Sequence, residues 1–129
     1  MSPKAEEVKT TVSMSNTEIA DTYLDAIRSR DPSKALLASE VTLQFPLTPR
    51  KVMGRDGVIA YMLALLPGID GVKFERHMTD GDHVATLWGI ETVWGDIPIC
   101  SVFRISDGLI REVRSFWDPR PVLAQTRGE

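Results

Sequence analysis

The sequence predicts an α+β domain in which a curved antiparallel sheet covers helices on one side. Two observations lead to this fold class. Apolar residues recur at helical spacing in the first half of the chain, whereas runs rich in Val, Ile, Thr, Phe and Trp follow one another in the second half. No helical pattern separates the strands after Asp70, so the chain lacks the alternation of a βαβ fold.

The helical half begins at a capping box. Ser15-Asn16-Thr17-Glu18 has the Ser-x-x-Glu form in which a hydroxyl and a carboxylate each satisfy a free backbone N–H. Ile19, Ala20, Tyr23, Leu24 and Ile27 follow on one stripe. Asp31-Pro32 predicts a second, short helix with Leu36 and Leu37 turned inward.

A strand and a third helix follow these two helices. Val41 to Phe45 alternates as a strand and is broken at Pro46, after which Arg50 and Lys51 lie in a predicted loop. Gly54 to Gly57 forms a predicted turn into the third helix, which ends at Pro67-Gly68.

Four strands make up the second half. Val72 to Met78 is the first, and Asp82 to Pro119 contains the other three as a meander. Gly95-Asp96 and Asp107-Gly108 separate those three strands, and such dipeptides permit the positive φ of a tight hairpin.

Alternation along the meander predicts two different faces. One face is apolar with isolated hydroxyls and indoles: Thr86, Trp88, Ile90, Thr92, Ile99, Ser101, Phe103, Val113, Ser115 and Trp117. The other mixes apolar and charged groups: Ala85, Leu87, Glu91, Val93, Cys100, Val102, Arg104, Glu112, Arg114 and Phe116. We expect the first face to line a small-molecule pocket under the helices and the second to form a homodimer interface.

Composition restricts the function. A chain of 129 residues with a net charge of −3 and a pI near 5.4 has no general attraction to nucleic acid or anionic lipid. One cysteine and two histidines do not make a zinc site, and no apolar run approaches the roughly 20 residues that span a bilayer. We expect a cytoplasmic protein with one domain at 15–120, mobile tails at 1–14 and 121–129, no metal and no cofactor.

The order of elements, the Gly-Arg-Asp helix start and the closing Ile110 to Pro119 segment resemble the cone-shaped fold of nuclear transport factor 2, ketosteroid isomerases and SnoaL-like polyketide cyclases. The resemblance covers about residues 17 to 119. It implies a curved mixed or antiparallel sheet around three helices. The fold hosts isomerases, cyclases, dehydratases, hydrolases and plain binding modules.

The resemblance to ketosteroid isomerases assigns individual positions. Tyr23 falls where those enzymes carry the tyrosine that donates a hydrogen bond to the substrate oxygen, and Trp117 falls on a pocket tryptophan. Phe45 replaces the aspartate that acts as general base, and Ser101 replaces the second oxyanion donor. The aspartate that SnoaL-like cyclases carry on the last strand falls near Ser115.

The candidate site combines these positions with the inner face. Tyr23, Ser101 and Ser115 are the candidate catalytic residues. Phe45, Phe74, Thr86, Trp88, Phe103, Val113 and Trp117 are the candidate substrate-binding residues. His77 and Asp118 are weaker acid–base candidates, because alternation places His77 on the surface and Asp118 can pair with Arg120.

Each candidate has a structural alternative. Tyr23 can be a core phenol bonded to a backbone carbonyl, and the two serines can be satisfied by backbone rather than by a wet or ligand-filled cavity. The sequence therefore favours a cofactor-free isomerase, cyclase or dehydratase for a hydrophobic, oxygenated substrate. The alternative is a non-catalytic binding or assembly module of the same fold.

Overall fold

Six strands form one curved mixed sheet in the computed structural model, which describes residues 14–118 and Arg120. The strands are β1 (Leu37–Gln44), β2 (Lys51–Met53), β3 (Ile69–Asp80), β4 (His83–Thr92), β5 (Gly95–Ser106) and β6 (Leu109–Trp117). Their order across the sheet is β2-β1-β6-β5-β4-β3. Two helices, α1 (Asn16–Arg28) and α2 (Arg55–Leu65), complete the predicted α+β fold.

The predicted meander is confirmed, although its first hairpin turns at Val93-Trp94, and the predicted turn residues Gly95 and Asp96 already pair with β4. β4, β5 and β6 pair antiparallel in sequence order, and β3 joins β4 in the same way. Asp107 and Gly108 both have positive φ, 53° and 74°, as a two-residue hairpin turn requires. The sheet is mixed because β1 pairs with β6 in parallel.

Helix α1 begins at the predicted capping box. The Ser15 hydroxyl accepts from the Glu18 N–H at 3.2 Å, and the Glu18 carboxylate accepts from the Ser15 N–H at 3.0 Å. These hydrogen bonds lower the pKa of Glu18.

The predicted second helix is wrong in length. Only a single 3₁₀ turn, Pro32–Lys34, follows α1, and Leu37 already belongs to β1. The physical reason is pairing with the last strand: the Ile110 N–H donates to the Leu36 carbonyl at 2.8 Å, and Leu37 lies opposite Ile110. These contacts hold Leu36 and Leu37 extended.

The predicted basic loop is partly a strand. Lys51–Met53 pairs antiparallel with the end of β1, so the loop folds back on the sheet. Gly54, with φ of 80°, then turns the chain into α2 as predicted.

Arg30 connects the C-terminal ends of the two helices. Its guanidinium donates to the Leu66 carbonyl at 2.6 Å and to the Ile69 carbonyl at 3.0 Å. Leu66 opens the 3₁₀ turn Leu66–Gly68 after α2, and Ile69 opens β3. Arg30 therefore fixes the position where α2 meets the sheet.

The core lies between the helices and the inner face of the sheet. Tyr23, Trp88 and Phe103 are buried there, and the outer-face residues from Ala85 to Phe116 are half-buried, as alternation predicts. Val93 is the exception, because it lies in the turn between β4 and β5 and is 71% exposed.

The predicted tails lie largely outside the described residues. Met14 is described, and it packs against the core. None of the helices in the described part of the chain is long and apolar enough to cross a membrane.

Candidate functional site

A cavity of about 90 Å³ lies between α1, the end of α2 and the inner face of the sheet. Most of its wall is aliphatic: Ile27, Met62, Leu65, Leu66, Ile69, Ile90 and Ile99. Five aromatic side chains, Tyr23, Phe45, Tyr61, Trp88 and Trp117, add flat surfaces. Such a wall favours a small hydrophobic ligand.

Tyr23 reaches the cavity from the apolar stripe of α1. Its side chain is 5% exposed and packs edge-on against Phe103, with ring centroids 5.2 Å apart, and against Trp88 at 6.5 Å. Burial, with a smaller contribution from Tyr61, raises the pKa of Tyr23 well above its usual range. Within residues 14–118 its hydroxyl donates no hydrogen bond, and it borders the cavity as a neutral donor.

Tyr61 is a second phenol at the cavity that the sequence analysis did not single out. It lies on α2, half-buried, with its ring 5.5 Å from that of Phe45. Burial raises the pKa of Tyr61, and the neighbouring guanidinium of Arg50 partly offsets the effect. Its signal in the sequence was a tyrosine next to the apolar helix residue Met62, because tyrosines often sit where an apolar site meets water.

The two candidate serines contact each other. Ser101 Oγ and Ser115 Oγ are 2.7 Å apart, and Trp88 Nε1 donates to Ser101 Oγ at 2.9 Å. An indole N–H can only donate, so Ser101 accepts from Trp88. Either serine can donate across this contact, and donation by Ser101 gives its proton the one acceptor described for it. This direction leaves the Ser115 O–H free to donate into the cavity that Ser115 lines.

The sequence offered two alternatives for these serines, satisfaction by backbone groups or contact with a cavity, and neither describes both residues. Their partners are side chains, not backbone groups, and only Ser115 reaches the cavity. Ser101 lies behind it, fully buried, and acts on the site through Ser115 and Trp88.

The candidate binding residues divide into two groups. Phe45, Trp88 and Trp117 line the cavity. Thr86, Phe103 and Val113 are on the predicted face but are fully buried in the core behind it. They shape the wall without touching the space inside.

Phe74 does not line the cavity. It is 48% exposed on β3, an edge strand of the sheet, and its ring centroid lies 4.7 Å from that of His77. Phe74 does pair with Trp88, as the inner face requires, but at the edge of the sheet its side chain remains half exposed.

His77 is not on the surface, contrary to the sequence analysis. β3 has a bulge at which Phe74 pairs with Trp88 but Arg76 pairs with Leu87, so Glu75 has no opposite partner. His77 consequently lies opposite Thr86 and faces inward, with its side chain 11% exposed.

The His77 ring joins α1 to the sheet. Its Nε2 lies 2.7 Å from Asp21 Oδ1, and its Nδ1 lies 2.8 Å from Thr86 Oγ1. The chain of Asp21, His77 and Thr86 resembles a proton relay, but Thr86 is fully buried and His77 does not line the cavity. The relay therefore acts as a structural link here.

Asp118 pairs with Arg120, as expected. The closest approach is 2.7 Å between Asp118 Oδ2 and Arg120 Nη2, and the guanidinium lowers the pKa of Asp118. The carboxylate is held as an anion outside the cavity.

The described residues hold no carboxylate or imidazole on the cavity wall. They also hold no cluster of three or more His, Cys, Asp or Glu side chains that could bind a metal ion. The polar side chains on the cavity wall carry hydroxyls and indoles, which are neutral groups, and the Trp88 N–H among them is already bonded to Ser101.

Comparison with known proteins identifies a family model. The model of the SnoaL-like domain matches residues 20–113. Among curated proteins, none matches the chain.

Solved structures share the fold at low sequence identity. A protein from Kribbella flavida is 23% identical with a TM-score of 0.76, over 86% of this chain and 93% of that one. A proposed ketosteroid isomerase from the same organism is 24% identical with a TM-score of 0.73, over 80% and 77% of the two chains. A proposed SnoaL-like polyketide cyclase from Shewanella denitrificans is 13% identical with a TM-score of 0.73, over 88% and 98%. These identities show the nuclear transport factor 2-like fold alone.

Proposed function

Because the chain belongs to the SnoaL-like domain family, we propose that it is a cofactor-independent isomerase, cyclase or dehydratase for a small hydrophobic, oxygenated molecule. The observation that carries the proposal is the convergence of three neutral donors on an apolar cavity. Tyr23, Tyr61 and Ser115 line a space whose other lining residues are aliphatic or aromatic. A ligand carbonyl or hydroxyl that enters this space would replace its hydrogen bonds to water with hydrogen bonds from these donors.

Donors of this kind stabilise negative charge that develops on an oxygen. Such stabilisation is strong in a site that excludes water, because the donors are already oriented and the local dielectric constant is low. The phenol of Tyr23 suits this role, since its raised pKa keeps the proton on the oxygen at neutral pH.

The proposed catalysis does not use a protein carboxylate as base. With no acid–base residue on the described cavity wall, the cavity would hold a flexible substrate in a reactive conformation and polarise its oxygen. A proton that leaves carbon would pass to another atom of the substrate or to water. Reactions in which the substrate needs folding and polarisation fit this arrangement.

A second candidate function is non-catalytic binding of the same class of molecule. The missing general base favours it, because Phe45 stands where the resembled isomerases carry an aspartate. The two candidates predict the same ligand and differ only in its chemical fate.

Native mass spectrometry of the protein incubated with cell extract tests both candidates. We expect a retained small molecule, and we expect the combined Tyr23→Phe and Tyr61→Phe variant to retain less of it. Trp94→Phe is the matched control, since Trp94 is an aromatic residue outside the cavity.

The fate of the retained molecule separates the candidates. A molecule that is recovered with the same mass but a different structure, or with the loss of water, indicates an enzyme. Recovery of the unchanged molecule after prolonged incubation indicates a binding module. If neither the wild-type protein nor the Trp94→Phe control retains any small molecule, both candidates are wrong.

A further inference from the structure

A groove leads out of the cavity between the β1–β2 connection and α2. Phe45, Tyr61, Leu65 and Trp117 line both the cavity and the groove, so the two spaces are continuous. One wall of the groove, which the cavity lacks, comes from the β1–β2 connection and the start of β2: Thr48, Pro49, Arg50 and Lys51. A ligand that fills the cavity and extends beyond it would pass this wall.

The wall carries two cationic side chains. Arg50 and Lys51 are exposed, and neither forms an ion pair with the rest of the described chain. The Arg50 guanidinium lies over the Tyr61 ring, with its Cζ 5.4 Å from the ring centroid. This contact holds the guanidinium beside the cavity mouth, and its five N–H donors exceed what the Tyr61 side chain can accept.

The carboxylate that follows the groove in sequence does not cancel this charge. Asp118 follows the groove residue Trp117, but its two oxygens are already bonded to Arg120. The whole chain has a net charge of −3. An acidic protein that places two free cations at the mouth of its apolar cavity favours entry of an anion there.

We infer that the ligand is an amphipathic carboxylate. Its apolar body, about the size of a benzene ring, lies in the cavity, and its carboxylate lies in the groove against Arg50 and Lys51. The planar guanidinium favours a carboxylate because the two groups match in bidentate geometry. This inference rests on the proposed function, because it adds a carboxylate to the hydrophobic, oxygenated ligand proposed there.

A pair of probes tests the charge requirement directly. 3-Phenylpropionate and 3-phenylpropanamide have nearly the same size and differ in charge. We expect the wild-type protein to bind the acid about three- to tenfold more tightly than the amide, as two exposed charge pairs would provide. Calorimetric titration of both probes at low and at high salt measures the ratio.

Variants then locate the effect. Arg50→Gln combined with Lys51→Gln should bring the ratio of the two affinities close to one. Arg55→Gln is the matched control, because Arg55 is an exposed cation at the start of α2 that does not line the groove. It should leave the ratio as in the wild-type protein.

The outcomes distinguish this inference from the proposed function. Equal binding of acid and amide by the wild-type protein would overturn the anionic ligand and leave the apolar cavity as a binding site. A ratio that Arg55→Gln lowers as much as the double variant would also overturn it, since the effect would then come from net charge. Failure of both probes to bind overturns the inference. The proposed function is decided separately, by whether the protein retains a small molecule from cell extract in native mass spectrometry.

Discussion

The hydroxyl oxygens of Ser101 and Ser115 lie 2.7 Å apart on the neighbouring strands β5 and β6. They occupy directly opposite positions in the ladder, so their contact follows from the strand register. Trp88 donates to the same Ser101 oxygen from β4. Three strands are thus joined by one line of side-chain hydrogen bonds under the cavity.

Ser101→Ala and Ser115→Ala should have unequal effects on stability. The first leaves the buried indole N–H of Trp88 without an acceptor and should lower the free energy of unfolding by about 1–3 kcal/mol. The second removes a group that borders the cavity, where water can replace it, and should cost less. Urea unfolding of the two variants measures the difference. A larger loss for Ser115→Ala would contradict the proposed direction of the hydrogen bonds.

Tyr23→Phe should weaken ligand binding without weakening the fold. The Tyr23 hydroxyl donates no hydrogen bond to residues 14–118, so its removal leaves no acceptor unpaired. Affinity for a ligand oxygen should fall about two- to tenfold, which is the worth of one neutral hydrogen bond. Melting temperature and ligand affinity are measured on the same variant. An unstable variant with unaltered affinity per folded molecule would remove Tyr23 from the site.

The free energy of unfolding should decrease as the pH rises above about 10, the ordinary pKa of tyrosine. Burial raises the pKa of Tyr23 in the folded state. The unfolded chain therefore releases this proton first, and the contribution of Tyr23 to stability is present below that pH and lost above it. Unfolding measured at about pH 8 and about pH 11 should show a smaller difference for Tyr23→Phe than for the wild-type protein. An identical difference would show that other groups cause the alkaline loss.

Ser15→Ala should destabilise α1 and, with it, one wall of the cavity. The variant removes the side-chain half of the capping box and should lower the free energy of unfolding by about 0.5–2 kcal/mol. Ser39→Ala is a matched control on β1, where the exposed hydroxyl contacts only its neighbour Glu40. Thermal unfolding of both variants tests the prediction, and equal effects would argue against capping.

We propose that the outer face of the sheet forms a homodimer interface. Leu87, Val102 and Phe116 are only half-buried there, and an apolar patch of this kind favours a partner surface. The Nε atom of Arg114 on the same face is buried without a hydrogen-bond partner in the described chain.

Sedimentation at micromolar concentration should show a dimer, and Phe116→Glu should convert it to a monomer. Met53→Glu is the control, because Met53 is an exposed apolar residue on β2, away from this patch. A monomeric wild-type protein would refute the interface.

Much of the fold follows from local patterns in the sequence. Alternation assigned the two faces of β4, β5 and β6, and the dipeptide Asp107-Gly108 marked the hairpin between β5 and β6. Both features depend on neighbouring residues alone. The same patterns found the α1 cap and placed Tyr23, Trp88, Ser115 and Trp117 toward the inside.

Local patterns failed where long-range contacts decide the structure. The bulge in β3 depends on how that strand pairs with β4, and it turned His77 inward against the simple alternation. Leu36 and Leu37 became extended because they pair with β6, which lies more than 70 residues further along the chain.

The sequence by itself determined which residues are apolar, which strand positions share a face and where the main turns fall. Only the tertiary structure decided which of those residues border empty space. Tyr61 and Arg50 meet at the cavity mouth because α2 packs on β1 beside the returning β2 strand, a contact between separate elements that no periodicity encodes. Thr86 and Phe103 share the face of Trp88 yet lie behind the cavity, because the helices cover them closely and leave the space elsewhere.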